Sequence, residues 1–531
     1  GDSLSLTYSL QMKNGYFDGE ERSIPIIEQG LLQTLGDFKV INDHSTHTLQ
    51  TDSKLGPITL YAEASSLELF MREIAIIDRY PFLCNEQMAS KIMALLAKKQ
   101  IVELQGKTFN EDKKIKGFIR ELNKNKNKEG LWGWWNTSES VGWISHHILN
   151  TLLDAEKAGY SIDLDKVALS LFVEKQLQKG LSDLPWVVDN GNPRVKGELL
   201  NLLILLHRLD ASVDYKAYLS RINEQLENSS VKDKLKVLFL MTSIGQKDEV
   251  AIDSLLYDSS QSILGSLYWA EPQKANSQLR YFHRPYETNT ENTLLAYQIL
   301  KNKGGHQEEL TKIQNYFFEC RQKGSWMNIY ESSRIIQAIM PDLLEEETTY
   351  QDVTLDVNAK NVNVFPYSAE LNPKDSIEVK KEGSLPLFIT AYQKEWNNNP
   401  IKEESKGLKI STVFRMNQDS IADLQEGKST VLETTLTVDG DAEFVQIEIP
   451  IPAGCSYESK GKGSYWLEAH REYYKEKVVI FCNRLTKGEY SFKVELLPRF
   501  SGRYTVNPAK AELMYFPTFY GNEVVKSTLI H

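Results

Sequence analysis

Apolar positions change period twice along this chain. Over the first sixty residues they alternate: Leu4, Leu6, Tyr8, Leu10 and Met12 take every second position, and Asn14-Gly15 follows as a turn signal. Side chains of a strand point to its two faces in turn, so this spacing predicts a strand with one apolar face and a hairpin after it. Further strands are predicted over 23–27, 38–41 and 58–61. From about residue 65 the period lengthens. Leu67, Phe70, Met71, Ile74 and Ile77 lie three or four residues apart and form the apolar stripe of a helix. That pattern persists to about residue 344 and predicts twelve helices: 64–78, 87–103, 110–122, 140–158, 165–178, 194–208, 214–226, 231–243, 249–257, 289–302, 307–321 and 328–340. They pair into six hairpins. Two of the helices are led in by runs rich in Gly and Trp, Gly130-Leu131-Trp132-Gly133-Trp134-Trp135 and Gly324-Ser325-Trp326, which set a flat ring beneath a helix start. A helical hairpin cannot bury its apolar face alone, so hairpins stack, and six of them close naturally into an α/α toroid. An open solenoid is the alternative, but the repeat length here is not constant.

After residue 347 the period returns to two. Short strands are predicted over 353–357, 376–380 and 385–391, and the polar stretch 397–405 reads as a linker. Strands over 431–438, 444–449, 478–481 and 490–496, separated by Asp-Gly, Pro-Ala-Gly and Lys-Gly turns, predict a β-sandwich of about 120 residues. The fold class is therefore multidomain α and β, an α/α toroid flanked by β-sandwich domains.

Length and charge narrow the function. A chain of 531 residues exceeds one core and suggests about three domains. A net charge of −11 argues against a nucleic-acid surface, and the basic run Lys124–Lys128 reads as a solvated loop. No stretch approaches the roughly 20 apolar residues of a membrane helix. There is no signal peptide, and Gly1 opens in a strand-like context, as expected of a processed protein or a piece of a longer one. The cysteines, Cys84, Cys320, Cys455 and Cys482, form no CxxC and have no histidine nearby, so neither a zinc site nor another cofactor is expected. Cys455 and Cys482 are either bridged or both reduced in a core.

The reactive candidate is Cys84-Asn85-Glu86-Gln87, directly after Tyr80-Pro81-Phe82-Leu83. A cysteine and a glutamine three residues apart can condense: the thiolate displaces ammonia from the carboxamide and leaves an internal thioester. The run resembles the Cys-x-Glu-Gln thioester signature of the alpha-2-macroglobulin and complement family, led in by an aromatic-Pro-aromatic stretch as it is here. Residues 140–144 and 155–160 look like that family's second inner helix, and Pro452-Ala453-Gly454 and 511–517 look like marks of its last domain. The order β, toroid, β, sandwich is similar to the C-terminal third of bacterial alpha-2-macroglobulins. The resemblance implies a β segment at 1–62 that opens a CUB-like domain, a toroid thioester domain at 63–346, the rest of the CUB-like domain at 347–405, and a macroglobulin-like sandwich at 406–531.

The resemblance also implies a role, that of a protease trap. Gln87 would be the electrophile and Cys84 the leaving group, with acylation once per molecule rather than turnover. Glu86 would orient the Gln87 amide or simply favour its helix start. A thioester must be kept from water, so Tyr80 and Phe82 would cover it locally, and Met514, Tyr515 and Phe516 would cap it from the sandwich. For the sandwich residues plain core packing is the simpler reading. The complement proteins carry a histidine in a toroid loop that steers them to hydroxyls. The corresponding stretch here, 184–193, has none, which implies direct attack by lysine amines of a protease. Upstream macroglobulin-like domains and a periplasmic or cell-envelope location follow from the same resemblance. Two other classes compete. A toroid carbohydrate-active enzyme would need two carboxylates, for which Glu139, Glu287 and Glu291 are available, while a terpene cyclase would need an Asp-rich run that is missing. A binding scaffold in which Cys84 and Gln87 never condense is the third. His146 and His147 are adjacent and point to different faces of a helix, one to the core and one to a polar lining; His207 and His283 have no acid or cysteine at useful spacing.

Overall fold

A computed structural model of the chain describes residues 3–64, 67–136, 138–182, 195–223, 230–246, 248–270, 289–320, 326, 328–345, 352–373, 376–383, 385–398, 402–417, 419–461, 463–464 and 467–531. Among them are twelve helices of four or more residues: α1 (Leu67–Arg79), α2 (Asn85–Leu104), α3 (Asp112–Lys124), α4 (Gly142–Lys157), α5 (Lys166–Ser182), α6 (Val195–Arg208), α7 (Tyr215–Asn223), α8 (Val231–Ser243), α9 (Glu249–Tyr257), α10 (Asn289–Lys303), α11 (Gln307–Glu319) and α12 (Ile329–Glu345). The even-numbered helices touch in sequence, α2 to α4, α6, α8, α10 and α12, and α12 returns to α2, so the ring closes. The odd-numbered helices α1, α3, α5, α7 and α11 pack outside it, each against an inner neighbour. Side-chain pattern explains the sorting. α2 buries Met88, Ala89, Ile92, Met93 and Leu95 on several sides and must be enclosed, whereas α3 buries only the stripe Ile115, Ile119 and Leu122.

One device recurs around the ring. The indole N–H of Trp132 donates to the Leu122 carbonyl at 2.6 Å, that of Trp269 to Leu255 at 2.9 Å, and that of Trp326 to Phe317 at 2.7 Å. Each acceptor stands two residues before the end of an odd-numbered helix, α3, α9 or α11, where the carbonyls have no helical partner. Each tryptophan thus closes one helix end while filling the space under the next inner helix. The Gly/Trp lead-ins announced two of these; Trp269 lies outside any such run.

The ring interrupts a β unit built from both sides of it. Leu387–Asn397 pairs along its whole length with Leu31–Ile41 and also with Ile58–Ala64, which in turn pairs with Tyr367–Leu371. A second sheet joins Thr46–Leu49 to Ile377–Glu382, Thr354–Val357 and Lys360–Val362. The C-terminal sandwich stacks a six-stranded sheet, from Glu404–Ser405 to His470–Tyr473, on a five-stranded one around Leu408, Leu432, Val445, Ile480 and Val494. Glu404–Ser405, expected as linker, is already a strand of that sandwich. The four cysteines are unbridged; Cys455 and Cys482 lie on strands of different sheets.

The first hairpin differs from its expected form. Ser3–Gln11 pairs with Phe17–Pro25 around Gly15, whose φ of +86° suits glycine, so 23–27 is mostly the end of the return strand rather than a separate one. The alternating face is not buried: Leu4, Tyr8, Leu10 and Met12 are each more than half exposed. Among the described residues no helix is long and apolar enough to cross a membrane.

Candidate functional site

Cys84 is the N-cap of α2, in extended conformation. Its side chain lies over the backbone N–H of Gln87, while the Gln87 carboxamide oxygen accepts the Cys84 N–H at 3.1 Å. This is a capping box in which cysteine stands where serine or threonine is usual and glutamine takes the third position. Both residues of the candidate condensation are therefore folded onto one another by the ordinary need of a helix start to satisfy its free N–H groups. Cys84 is 2% exposed, while Gln87 is only partly buried, so the sulfur is covered and the carboxamide is reachable.

The turn around this pair is gripped from both sides. Asn85 donates its backbone N–H to the Trp134 carbonyl at 3.0 Å, and its side-chain amide reaches the carbonyls of Gly133 and Trp135 at 3.0 and 3.2 Å. Asn125 in turn donates to the Asn85 side chain at 2.8 Å. Gly133 has to be glycine, because a side chain there would run into the Glu139 carbonyl. On the other side Lys91, itself buried, donates to the carbonyls of Asp78 and Tyr80, both at 2.7 Å, and fixes the aromatic approach to Cys84. Around the motif lies an apolar rim: Tyr80, Phe82, Leu83, Trp134 and Trp135 are all substantially exposed. Tyr80 and Phe82 meet edge to face at 5.8 Å.

Beneath the rim the site is polar and buried. Glu86 is 4% exposed; its Oε2 faces the Cys84 sulfur at 3.9 Å, and its Oε1 accepts the Ser90 hydroxyl at 2.9 Å. Ser90 Oγ lies 3.0 Å from His147 Nε2, and the His147 ring sits edge-on to Tyr330. Burial pushes the Glu86 carboxyl up, against the hydrogen bonds from Ser90 and Cys84. Burial also pushes the Cys84 thiol up; the Gln87 N–H pulls the other way, and the Glu86 charge adds to the rise. Burial, with Arg334 next, drives His147 down to about 3, so this imidazole is neutral. Ser90 stands one helical turn after Glu86, a spacing readable in the chain; His147 is on another helix and is not.

The other candidates fall elsewhere. Tyr515 stacks on Tyr61 at 5.9 Å and meets Phe444 at 5.2 Å, and Phe516 packs against Phe38 and Tyr61. Among the described residues no ring contact joins Tyr515 to Tyr80 or Phe82; Met514 and Tyr515 are each nearly half exposed. The structure brings together Tyr80, Phe82, Cys84, Glu86 and Gln87, and sets Tyr515 against the interrupted β unit instead. Glu139 is exposed, and Glu291 is paired with Arg334 and Lys232. His146 meets Asn150, and His207 packs on Tyr215. His283, Glu287 and residues 184–193 lie outside the described residues. Among those described, no group of His, Cys, Asp or Glu could hold a metal ion.

Residues 399–518 match the family model described as Bacterial Alpha-2-macroglobulin MG10 domain. Among solved structures the chain is similar to trypsin-activated alpha-2-macroglobulin from Escherichia coli, at 16% identity and a TM-score of 0.55, over 99% of this chain and 38% of that one. It also matches native E. coli alpha-2-macroglobulin from domain MG7 to the C-terminus (16% identity, TM-score 0.43, 99% of this chain and 87% of that). A third match is Salmonella alpha-2-macroglobulin reacted with methylamine (14% identity, TM-score 0.43, 99% and 36%). A search of curated proteins finds no match. The chain thus resembles bacterial alpha-2-macroglobulins: residues 399–518 match the model of their MG10 domain, and the chain shares a fold with the activated E. coli protein, of whose length it spans 38%.

Proposed function

We propose that this chain is the thioester-bearing part of an alpha-2-macroglobulin-like protease inhibitor, acting once per molecule rather than as a turnover enzyme. The observation that carries the reading is the reciprocal cap of Cys84 and Gln87, one side chain buried and the other reachable, at the start of an inner helix of the ring. Condensation would store an acyl group on residue 87. A lysine amine of an attacking protease would then take that acyl group, and Cys84 would leave as a thiolate, a far better leaving group than an alkoxide. The trypsin-activated E. coli protein adds support, since its description names a protease.

The apolar rim of Tyr80, Phe82, Leu83, Trp134 and Trp135 would exclude water only when covered. Met514 and Tyr515 offer apolar surface on the sandwich for that purpose in another arrangement of the same domains. The exposed face of the first hairpin, Leu4 to Met12, is where upstream macroglobulin-like domains would pack. The division at 62, 346 and 405 and a periplasmic or envelope location belong to the same proposal.

Intact mass of the native, unalkylated chain, with and without methylamine, tests it. The expected result is a mass short by one ammonia, converted by methylamine to a methylamide on Gln87 with a free thiol on Cys84. Full mass with an unmodified Gln87 and no uptake would leave a binding scaffold. Glutamate at position 87 would mean that a thioester formed and was hydrolysed.

A further inference from the structure

We propose that Glu86, held in place by Ser90 and His147, carries the proton in acyl transfer at Cys84 and Gln87. The proposal rests on the thioester reading above and assigns a part to two residues that lie outside the motif.

The hydrogen-bond direction is fixed by the groups themselves. An ionised carboxylate only accepts, so the Ser90 hydroxyl hydrogen points to Glu86 Oε1 at 2.9 Å. The Ser90 oxygen then accepts from His147, 3.0 Å away, which selects the Nε2–H tautomer of a neutral imidazole. Both donations run toward Glu86 and leave its other oxygen, Oε2, for the Cys84 sulfur at 3.9 Å. Ser90 is fully buried and His147 3% exposed, so water does not compete for these bonds. The surroundings are few. Tyr330 of α12 lies beside both Glu86 and His147, and the titratable and charged groups that act on His147 are Arg334 of α12, the neutral His146 of α4 and Glu291 of α10.

The chemistry balances around one proton. In thioester formation Glu86 takes the thiol proton, the sulfur attacks the Gln87 carboxamide carbon, and a C–S bond forms. Glu86 returns the proton to the amide nitrogen, the C–N bond breaks and ammonia leaves. In acylation the amine nitrogen attacks the same carbon and its proton passes to Glu86; the C–S bond breaks and the departing sulfur takes that proton. Amine and thioester become amide and thiol. The second sequence is the first run backwards with another amine, so one group serves both directions. Burial pushes the Glu86 carboxyl up, which makes its carboxylate a stronger proton acceptor.

The experiment measures methylamine uptake by intact mass across pH 6–9, per molecule that lacks ammonia, with thermal unfolding as the check of fold. Glu86→Gln is expected to slow uptake about 100-fold or more. Ser90→Ala removes a donor that favours the carboxylate, so its acid limb should move to higher pH and its uptake at the acid end of the range should fall. His147→Phe should shift the limb less in the same direction, and His147→Gln, which keeps an N–H donor toward Ser90, should restore it. Wild-type uptake with Ser90→Ala and His147→Phe unchanged at every pH would overturn the relay alone, and the near-isosteric Ser90→Ala keeps that result readable if His147→Phe fails to fold. A wild-type chain with neither ammonia loss nor uptake would overturn the thioester reading and this proposal together.

Discussion

Glu86 and Glu291 both stand in the first turn of an inner helix of the ring, α2 and α10, and each is 4% exposed. Burial pushes both carboxyls up. At Glu291 the guanidinium of Arg334 and the ammonium of Lys232, 3.6 Å away, outweigh it and hold the carboxyl below its usual range. At Glu86 only a hydroxyl and a thiol answer it, and the carboxyl stays raised. The same residue near the start of an inner helix is a fixed ion pair in one case and, on the proposal above, a group able to exchange a proton in the other. What separates them is the charge on the facing helix, not the depth of burial.

The largest expected effect removes the partner of Glu86 altogether: Cys84→Ala or Gln87→Ala should abolish methylamine uptake in intact-mass measurements while leaving the ring folded. Next is the fixed pair. Arg334→Met leaves Glu291 buried without its guanidinium and should cost about 3–5 kcal/mol, read in denaturant unfolding. Ser90→Ala at the other site should cost far less stability and change rate instead. If the two variants behaved alike, the contrast would fail. Asn85→Ala, which strands the Gly133 and Trp135 carbonyls and the Asn125 amide, should cost about 1–3 kcal/mol and lower uptake with it.

A smaller effect concerns pH. At the seam between the ring and the sandwich, Tyr268 donates to Asp441 at 2.8 Å and Arg484 pairs with the same carboxylate at 2.8 Å. Burial pushes Glu319 to about 7 and Glu443 to about 8 there. A carboxyl whose folded pKa is raised keeps its proton while the unfolded chain gives it up, so its contribution is full below about 4.5 and is lost as pH rises toward 7–8. The thermal midpoint should therefore fall by a few degrees across that window, and Glu319→Gln with Glu443→Gln should flatten the fall. Glu291, whose pKa is lowered, has the opposite sign: its contribution is present above the unfolded value and is lost on acidification. Smallest of all, Trp135→Ser on the exposed rim should leave stability within about 0.5 kcal/mol.

Much of this was legible in the chain. A period of three to four residues marked all twelve helices, most of their bounds within a few residues, because that period reports which side of a helix is covered and little else. The reactive pair was legible for the same local reason: N-cap and third position of one helix are brought together by the helix itself, as Cys84 and Gln87 are. Alternation in the first hairpin predicted the strand but not that its apolar face stays exposed, since period two tells which residues share a face and not what covers it.

Residue order by itself determined the helices, the strands and the cap that joins Cys84 to Gln87. Tertiary structure alone decided that His147, 57 residues from Ser90, completes the line to Glu86, that α12 returns to α2, and that Tyr515 meets Tyr61. Contacts within one turn are fixed by backbone geometry common to every helix. Contacts between helices depend on the angle and stagger at which the ring closes, and no single segment of the chain carries that information.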